Sequence, residues 1–237
     1  MSITLPHYDF PRAGAALARL LRDPDDLPQV FALIDSISGT APQRLVRGFK
    51  RSEGGARLLR ERPDIVPLLA DRATLGALPD GSLGRRYLAF VESEALSPQG
   101  IRDASATGAK HDAGASESVR YVKERMRDTH DLWHAATGYQ GDVAGELALL
   151  GFTLAQNWHT GIAVILTTAI LKGFSFDARK LITEGYRRGR AARYMPSLEW
   201  ESLLALPLSE VRARLGLGAP PVYVPVRTAQ LRAQGLL

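Results

Sequence analysis

The sequence has no cysteine among its 237 residues. This absence excludes disulfides, cysteine-ligated zinc and a thiol nucleophile, so any metal must be held by His, Asp and Glu side chains. Lysine is also scarce, with 5 Lys against 25 Arg in a chain of net charge +5. Because no basic run is interleaved with aromatic residues and no recognition motif is present, this charge predicts no nucleic-acid partner.

The first 21 residues lack the features of a targeting segment. A secretory signal requires a basic start, then an apolar run and then a small-residue cleavage site, and these residues do not show that pattern. They also contain Asp9 and little serine, which is not typical of a transit peptide. We therefore predict a cytoplasmic protein, and we expect a bacterial source.

Helix signals are frequent along the chain and strand signals are scarce, which predicts an all-α fold. With 45% hydrophobic residues and no repeat or linker, residues 1–237 are predicted to form a single all-helical domain. Residues 102–117 are rich in Ala, Ser, Gly and Asp and are predicted to form a flexible loop. Residues 219–237 begin with several prolines and are predicted to form an extended tail.

Three acidic or hydroxyl side chains are predicted to cap helices. Asp23 is followed by Pro24, a combination typical of a helix start. Ser82 precedes a helical pattern of apolar residues, and Asp142 precedes the segment that carries Glu146. These residues set the expected beginnings of the helices.

The pattern with a chemical meaning is His130-Asp131-Leu132-Trp133-His134, followed by Glu146. Histidines four residues apart lie one above the other on an α-helix, so both imidazoles can point at one ion. On one straight helix Glu146 would point about 160° away from His130. Gly138 and Gly141 predict a turn that brings it back, with a positive φ at one of the two glycines.

Two histidines at this spacing also occur in ordinary core and surface helices. The adjacent Asp131 and the returning Glu146 favour a site for zinc or another borderline divalent metal. The pattern is also similar to the HExxH of zinc proteases, with Asp in place of Glu. Because the shorter carboxylate is not an obvious general base, a metal-dependent hydrolase is the less favoured interpretation.

Leu147 to Leu171 contains no Asp, Glu, Lys or Arg, a length that can span a bilayer. Polar or helix-weakening residues interrupt its middle: Gln156, Asn157, His159 and Gly161. We therefore predict buried or membrane-touching helices and peripheral membrane association in place of a transmembrane span.

A single helical face is expected to connect the candidate metal residues to this uncharged segment if the helix is continuous. That face carries Glu146, Leu150, Thr153, Asn157 and Val164. It can serve as an apolar groove or as ordinary core, and both interpretations stay open.

A basic helix is predicted over residues 177–193. Gly185 and Gly189 are four residues apart, which predicts close packing against a neighbouring helix. The arginines of this helix can form a solvated face or contact anionic lipid, and the sequence leaves both possibilities open.

The segment His130 to Glu146, HDLWHAATGYQGDVAGE, resembles the metal motif of the ubiquinone (coenzyme Q) biosynthesis protein 4 family, an HD-x-x-H followed by Glu after eleven residues. The resemblance extends from about residue 24 to residue 217. It departs from the family at residues 102–117 and 157–161. The other matching segments are Leu78 to Gly84, Arg120 to Val122, Arg125 to Arg127, Gly189 to Ala191, Trp200-Glu201, Pro207-Leu208, and Arg212 with Leu215-Gly216.

The resemblance implies an all-helical metalloprotein of ubiquinone biosynthesis. It implies that His130, Asp131, His134 and Glu146 are metal residues, with zinc as the expected ion and iron as the alternative. The implied reaction removes the carboxylate at ring carbon 1 of a prenylated precursor and hydroxylates that carbon. Asp131 and His134 are then the candidate catalytic residues.

The resemblance also implies partners. These are a prenylated quinone precursor or isoprenoid lipid, the membrane surface and other quinone-biosynthesis proteins, and a homo-oligomer is expected. An alternative is a non-catalytic lipid-binding scaffold that organises those proteins. Zinc has no redox chemistry, so an oxidative reaction needs an electron acceptor, and two histidines with carboxylates suit Fe(II) equally well.

Overall fold

The computed structural model describes residues 8–108, 115–172, 176–233 and 235. Within these ranges the chain folds into fifteen α-helices, which confirms the predicted fold class. The same ranges contain no β-strand, and an isolated bridge pairs Ser82 with Pro207.

The α-helices in chain order are α1 Phe10–Leu20, α2 Leu27–Ser36, α3 Ala41–Phe49, α4 Glu53–Glu61, α5 Val66–Ala70, α6 Arg72–Gly76, α7 Leu83–Ser93, α8 Pro98–Gly108, α9 Glu117–Asp128, α10 His130–Thr137, α11 Val143–Gln156, α12 Thr160–Leu171, α13 Phe176–Ala191, α14 Leu208–Leu215 and α15 Thr228–Ala233. A 3₁₀ turn, Trp200–Leu203, lies between α13 and α14.

The largest hydrophobic cluster surrounds α10. It combines residues of α7, α10, α11 and α13 with the segment before α14. Trp133 of α10 meets Phe152 of α11 edge-on, with ring centroids 5.9 Å apart. Ala135 and Ala136 have no exposed surface. Aromatic side chains bury more apolar area per residue than other side chains, so this cluster holds α10 inside the protein.

α11 and α13 pack so closely that their contact depends on glycine. A Cβ at Gly185 would overlap the carbonyl oxygen of Ala148, and one at Gly189 would overlap that of Phe152. A Cβ at Gly151 would lie 2.6 Å from the carbonyl oxygen of Ile182. The predicted close packing at Gly185 and Gly189 is confirmed, and it fixes α11 against a rigid neighbour.

Two of the three predicted caps are confirmed. The Ser82 side chain accepts a hydrogen bond from the Arg85 amide at the start of α7, and Asp142 caps α11. The prediction at Asp23 is wrong, because Asp26 is the N-cap of α2 and Pro28 lies in its first turn. The carboxylate of Asp23 instead accepts a hydrogen bond from the guanidinium of Arg232 in the C-terminal tail, at 3.0 Å.

Two predicted irregular segments are partly helical. α8 extends to Gly108, so the predicted loop at 102–117 is wrong for residues 102–108, and residues 109–114 lie outside the described ones. The helix continues because Gly108 packs on the backbone of Pro28 and its carbonyl accepts from Arg12. The predicted extended tail also contains α15, because Leu231 is buried.

The uncharged segment does not form one continuous helix. α11 ends at Gln156, Asn157 has extended backbone, and the His159 side chain caps α12 by accepting from the Gly161 amide. The continuous helix on which the single face from Glu146 to Val164 depended is therefore not formed. Among the described residues, no helix has both the length and the apolar character needed to cross a membrane.

Candidate metal centre

Helix α10 brings the two histidines together. It begins at His130, after Thr129 interrupts the helical path of α9 with φ −97° and ψ 3°. Since Trp133 and its apolar neighbours turn toward the core, His130 and His134 share the face beside it. Their ring centroids lie 4.8 Å apart. The sequence spacing and the core contacts together aim both imidazoles at one region.

Glu146 reaches that region because the chain reverses between α10 and α11. Gly138 ends α10 in the left-handed conformation, with φ +87°, where the predicted positive φ is found. The carboxylate of Asp142 then accepts hydrogen bonds from the amides of Ala144 and Gly145 and starts α11. Glu146 lies in the first turn of this helix and faces α10.

The three side chains have the spacing of ligands around one ion. Nε2 of His134 lies 3.1 Å from Oε1 of Glu146, and Nε2 of His130 lies 3.7 Å from Oε2 of Glu146. The candidate ligand atoms of all three residues lie within 4.8 Å of one another. Ligand atoms about 2.0–2.1 Å from a tetrahedral zinc ion are separated by about 3.3 Å. His130, His134 and Glu146 therefore fit a single divalent ion.

The tautomer of His134 also suits metal binding. Its Nδ1 lies 3.1 Å from the carbonyl oxygen of Tyr139, which can only accept, so Nδ1 carries the proton. The lone pair is then on Nε2, which is buried and faces Oε1 of Glu146 at 3.1 Å without a hydrogen bond between them. Two acceptor atoms at this distance repel each other, and a metal ion between them would satisfy both.

Asp131 contacts His130 and is almost fully buried. Its Oδ1 lies 3.3 Å from Nδ1 of His130, which orients the imidazole and leaves Nε2 toward Glu146. The structure thus brings together His130, His134 and Glu146, with Asp131 behind the first histidine. A direct metal contact by Asp131 stays a prediction.

Neighbouring charges shift the pKa values of His130 and Glu146. Desolvation opposes protonation of His130, but Asp131 and Glu146 outweigh it and raise the His130 pKa. Desolvation raises the pKa of Glu146, but His134 and His130 outweigh it and bring the value down to about 2. Glu146 is therefore ionised at neutral pH, so its oxygen atoms can bind a cation.

One side of the centre is closed and the other is open. The side chain of His134 has no exposed surface, whereas those of His130 and Glu146 are 36% and 42% exposed. The ring of Phe90 on α7 stacks on His134, with centroids 4.9 Å apart and an interplanar angle of 13°. A small molecule can therefore approach from the side of Glu146.

Three features of the centre were missed from the sequence. Phe90 and Tyr87 of α7 had only an apolar helical pattern as a signal, yet Phe90 covers His134. Burial, together with the nearby charge of Asp131, raises the pKa of Tyr87. The third feature, the carbonyl of Tyr139, is a backbone group and leaves no side-chain signal.

A separate cavity of about 470 Å³ lies between the start of α5 and helices α8 and α9, and none of the candidate metal residues lines it. Four of the charged residues in its lining form ion pairs with one another. Arg102 lies 2.6 Å from Asp64 and 2.7 Å from Asp128, which also pairs with Arg127. These pairs satisfy much of the charge that lines the cavity.

The chain is similar to known proteins of ubiquinone biosynthesis. A family model described as coenzyme Q (ubiquinone) biosynthesis protein Coq4 matches residues 10–221. The chain is similar to the mitochondrial ubiquinone biosynthesis protein COQ4 homolog of Bos taurus, with 29% identity over 203 residues, 82% of this chain and 73% of the relative. The Mus musculus protein of the same name is 28% identical over 254 residues, 93% of this chain and 91% of the relative.

The fold also matches a known structure. A crystal structure of a Nostoc punctiforme PCC 73102 protein superposes on this chain with a TM-score of 0.64 and 23% sequence identity. The superposition covers 90% of this chain and 100% of the Nostoc chain. At this identity the match supports a shared helical fold.

Proposed function

The chain belongs to the coenzyme Q (ubiquinone) biosynthesis protein Coq4 family and so takes part in ubiquinone biosynthesis, and we propose that it does so as a metal-dependent enzyme. The proposed reaction replaces the carboxylate at ring carbon 1 of a prenylated precursor with a hydroxyl group. The observation that supports a catalytic centre is the convergence of His130, His134 and Glu146, in which the buried Nε2 of His134 faces the Glu146 carboxylate at 3.1 Å without a hydrogen bond.

His130, His134 and Glu146 would hold the ion, with Asp131 as the further ligand that the sequence predicts. The donor set favours zinc and also suits iron. When bound, the metal would supply positive charge that stabilises anionic charge developing on the substrate. The protein's own contribution is a fixed His134 tautomer, an oriented His130 and an opening beside Glu146.

The overall conversion is a two-electron oxidation in which carbon dioxide leaves and a hydroxyl group takes its place. The side chains of this chain cannot accept those electrons, because it has no cysteine and its other side chains do not act as oxidants. An oxidant such as dioxygen is therefore a required reactant, and any assay must supply it.

A half-buried apolar stripe next to Glu146 supports a prenylated substrate. Leu150 and Leu154 follow Glu146 along α11 and, like Ile165 and Ile170 of α12, pack against one buried apolar cluster. Both leucines keep part of their surface accessible. An isoprenoid tail would bury this surface while the ring lies at the candidate metal centre.

Helix α12 also supports peripheral contact with a membrane. Trp158, just before the helix, is 56% exposed and Leu171, its last residue, is 78% exposed. Lys172 follows directly and is exposed. Aromatic and apolar side chains beside a cation are typical of proteins that bind at the membrane interface. We expect a high-salt or carbonate wash to release the protein from membranes, whereas retention after carbonate would argue against peripheral binding.

Purified protein with a prenylated hydroxybenzoate-type precursor tests the reaction, with and without dioxygen and with the metal content measured in the same sample. Product that requires both metal and dioxygen is the expected result. Absence of product with metal-loaded protein would leave a lipid-binding scaffold as the better explanation.

Asp131→Asn separates an enzyme from a scaffold, since it keeps the shape of the side chain and removes its charge. We expect the variant to fold and bind a prenylated ligand, and to lose ring modification by at least about tenfold. Asp103→Asn, on the exposed surface of α8, is the control. Full product formation by Asp131→Asn, and likewise by His134→Ala, would contradict the catalytic proposal.

A further inference from the structure

Residues 219–228, which we call the C-terminal strap, lie across the loop between α10 and α11. The strap has no helix before Thr228. Pro220, Pro221 and Pro225 restrict its backbone and remove amide donors. Val222 is 100% exposed and Val224 is 82% exposed, while Tyr223 is half-buried. An extended segment alternates its side chains, so Tyr223 points inward between two outward valines.

The hydroxyl of Tyr223 contacts the loop at two points. It donates to Oδ2 of Asp142 at 2.8 Å and accepts from the amide of Gln140 at 2.9 Å. A phenol keeps its proton at neutral pH, and burial raises the pKa of this one further. One hydroxyl thus joins the middle of the loop to the residue that caps α11.

The backbone of the strap strengthens the same connection. The amide of Val226 donates to Oδ1 of Asp142 at 2.8 Å, and the amide of Val143 donates to the carbonyl oxygen of Val226 at 2.9 Å. Asp142 is 2% exposed, so its carboxylate is fully engaged by the strap and by the first turn of α11. The beginning of α11 is therefore held by residues more than eighty positions later in the chain.

Both contacts of Tyr223 lead to candidate metal ligands. Gln140 follows Tyr139, whose carbonyl oxygen fixes the tautomer of His134. Asp142 sets the start of α11, where Glu146 lies one turn later. We propose that Tyr223 is a positioning residue for the metal centre, acting through Tyr139 on His134 and through Asp142 on Glu146. This inference rests on the proposed function, because it assumes that these residues bind a metal.

A second anchor keeps the strap in register. Arg227 donates to both carboxylate oxygens of Glu94, at 2.7 and 3.0 Å, and to the carbonyl oxygen of Gly141 at 3.2 Å. Glu94 follows the last residue of α7, the helix whose Phe90 covers His134. The strap therefore connects the loop to α7 as well as to α11.

The test compares Tyr223→Phe with Val222→Ala in the full-length protein. Phenylalanine keeps the ring and removes both hydrogen bonds, and Val222 is the matched control because it is fully exposed on the same strap. Hydrogen exchange of the Gln140 amide is measured in metal-free protein. Affinity for Co²⁺ and the visible spectrum of the Co²⁺ protein, which reports coordination geometry, are measured in parallel.

We expect Tyr223→Phe to speed exchange at Gln140, to weaken Co²⁺ binding by about tenfold or more, and to change the spectrum, because partners behind metal ligands typically affect affinity on this scale. Val222→Ala should match wild type. Wild-type affinity and spectrum in Tyr223→Phe would overturn the inference and leave the metal site intact, even if the metal-free variant melts at a lower temperature. A wild-type protein that binds no Co²⁺ would overturn the metal site and this inference with it.

Arg227→Gln is the second variant if Tyr223→Phe does not fold. It removes the ion pair with Glu94 at a side chain that is 50% exposed, so folding is less at risk. Faster exchange at Gln140 and weaker Co²⁺ binding are again expected, whereas an unchanged spectrum and affinity would count against the strap.

Discussion

Gly138, at the end of the helix that carries both histidines, lies directly against Pro220 of the C-terminal strap. A Cβ at Gly138 would be 2.6 Å from the Cβ of Pro220. The backbone of Gly138 also has φ +87°, a conformation that side chains other than glycine rarely adopt. Two independent constraints, one local and one tertiary, therefore require glycine where the chain turns toward Glu146.

Gly138→Ala should reduce both stability and metal affinity. The positive φ alone costs about 1 kcal/mol, and the overlap with Pro220 adds about 1–3 kcal/mol of overpacking. Gly218→Ala is the control, because Gly218 has φ +67° and open space around its missing Cβ. Urea unfolding and metal titration of both variants check the prediction. Equal losses in the two would show that the contact with Pro220 contributes nothing.

The candidate metal centre predicts about one divalent ion per chain, because three ligand atoms converge and none remains for a second ion among them. Elemental analysis of protein purified without chelator should find that ion. His134→Asn should lose most of it, whereas His159→Asn, a control beyond the opposite end of α11 from Glu146, should retain it. Equal metal content in both variants would contradict the assignment of His134.

Stability should fall as the pH decreases from about 6.5 toward 4, because of His159. Burial, with help from Arg44 and Lys123, lowers the pKa of His159 to about 4. Between pH 6.5 and 4, His159 is therefore protonated in the unfolded chain but not in the folded protein. The free energy of unfolding decreases as the pH falls through this range. A shift of this size corresponds to roughly 3 kcal/mol at pH 4.

His159→Asn tests that interpretation, because asparagine can still cap α12 without titrating. The free energy of unfolding of the variant should depend less on pH between 4 and 6.5, as measured by urea unfolding at several pH values. The same pH dependence in the variant and in wild type would assign the effect to other groups.

Gly185→Ala should destabilise the protein by about 1–3 kcal/mol, because its Cβ would overlap the carbonyl oxygen of Ala148 between α11 and α13. Gly14→Ala in α1 is the opposite case, since nothing lies within 4 Å of its missing Cβ. Alanine is the better helix former, so this change should stabilise by about 0.5–1 kcal/mol. Thermal unfolding of the two variants measures the expected loss of stability in one and the expected gain in the other. Wild-type stability in Gly185→Ala would mean that α11 and α13 can move apart at little cost.

Local signals predicted helices better than they predicted helix ends. Ser82 and Asp142 cap helices as expected, because a capping side chain acts on amides two or three residues away. The cap predicted at Asp23 is wrong because α2 begins after Asp26. The loop predicted at residues 102–108 is wrong because α8 packs on α2, a contact between segments distant in sequence.

The sequence by itself determined that His130 and His134 share a helix face and that the chain turns before Glu146. Both follow from the helical repeat and from the backbone freedom of Gly138, which are properties of neighbouring residues. Only the tertiary structure decided that Phe90 covers His134, that the Tyr139 carbonyl fixes its tautomer, and that Tyr223 ties the loop in place. These contacts depend on how distant segments pack, and a periodic pattern along the chain carries no information about which surfaces meet.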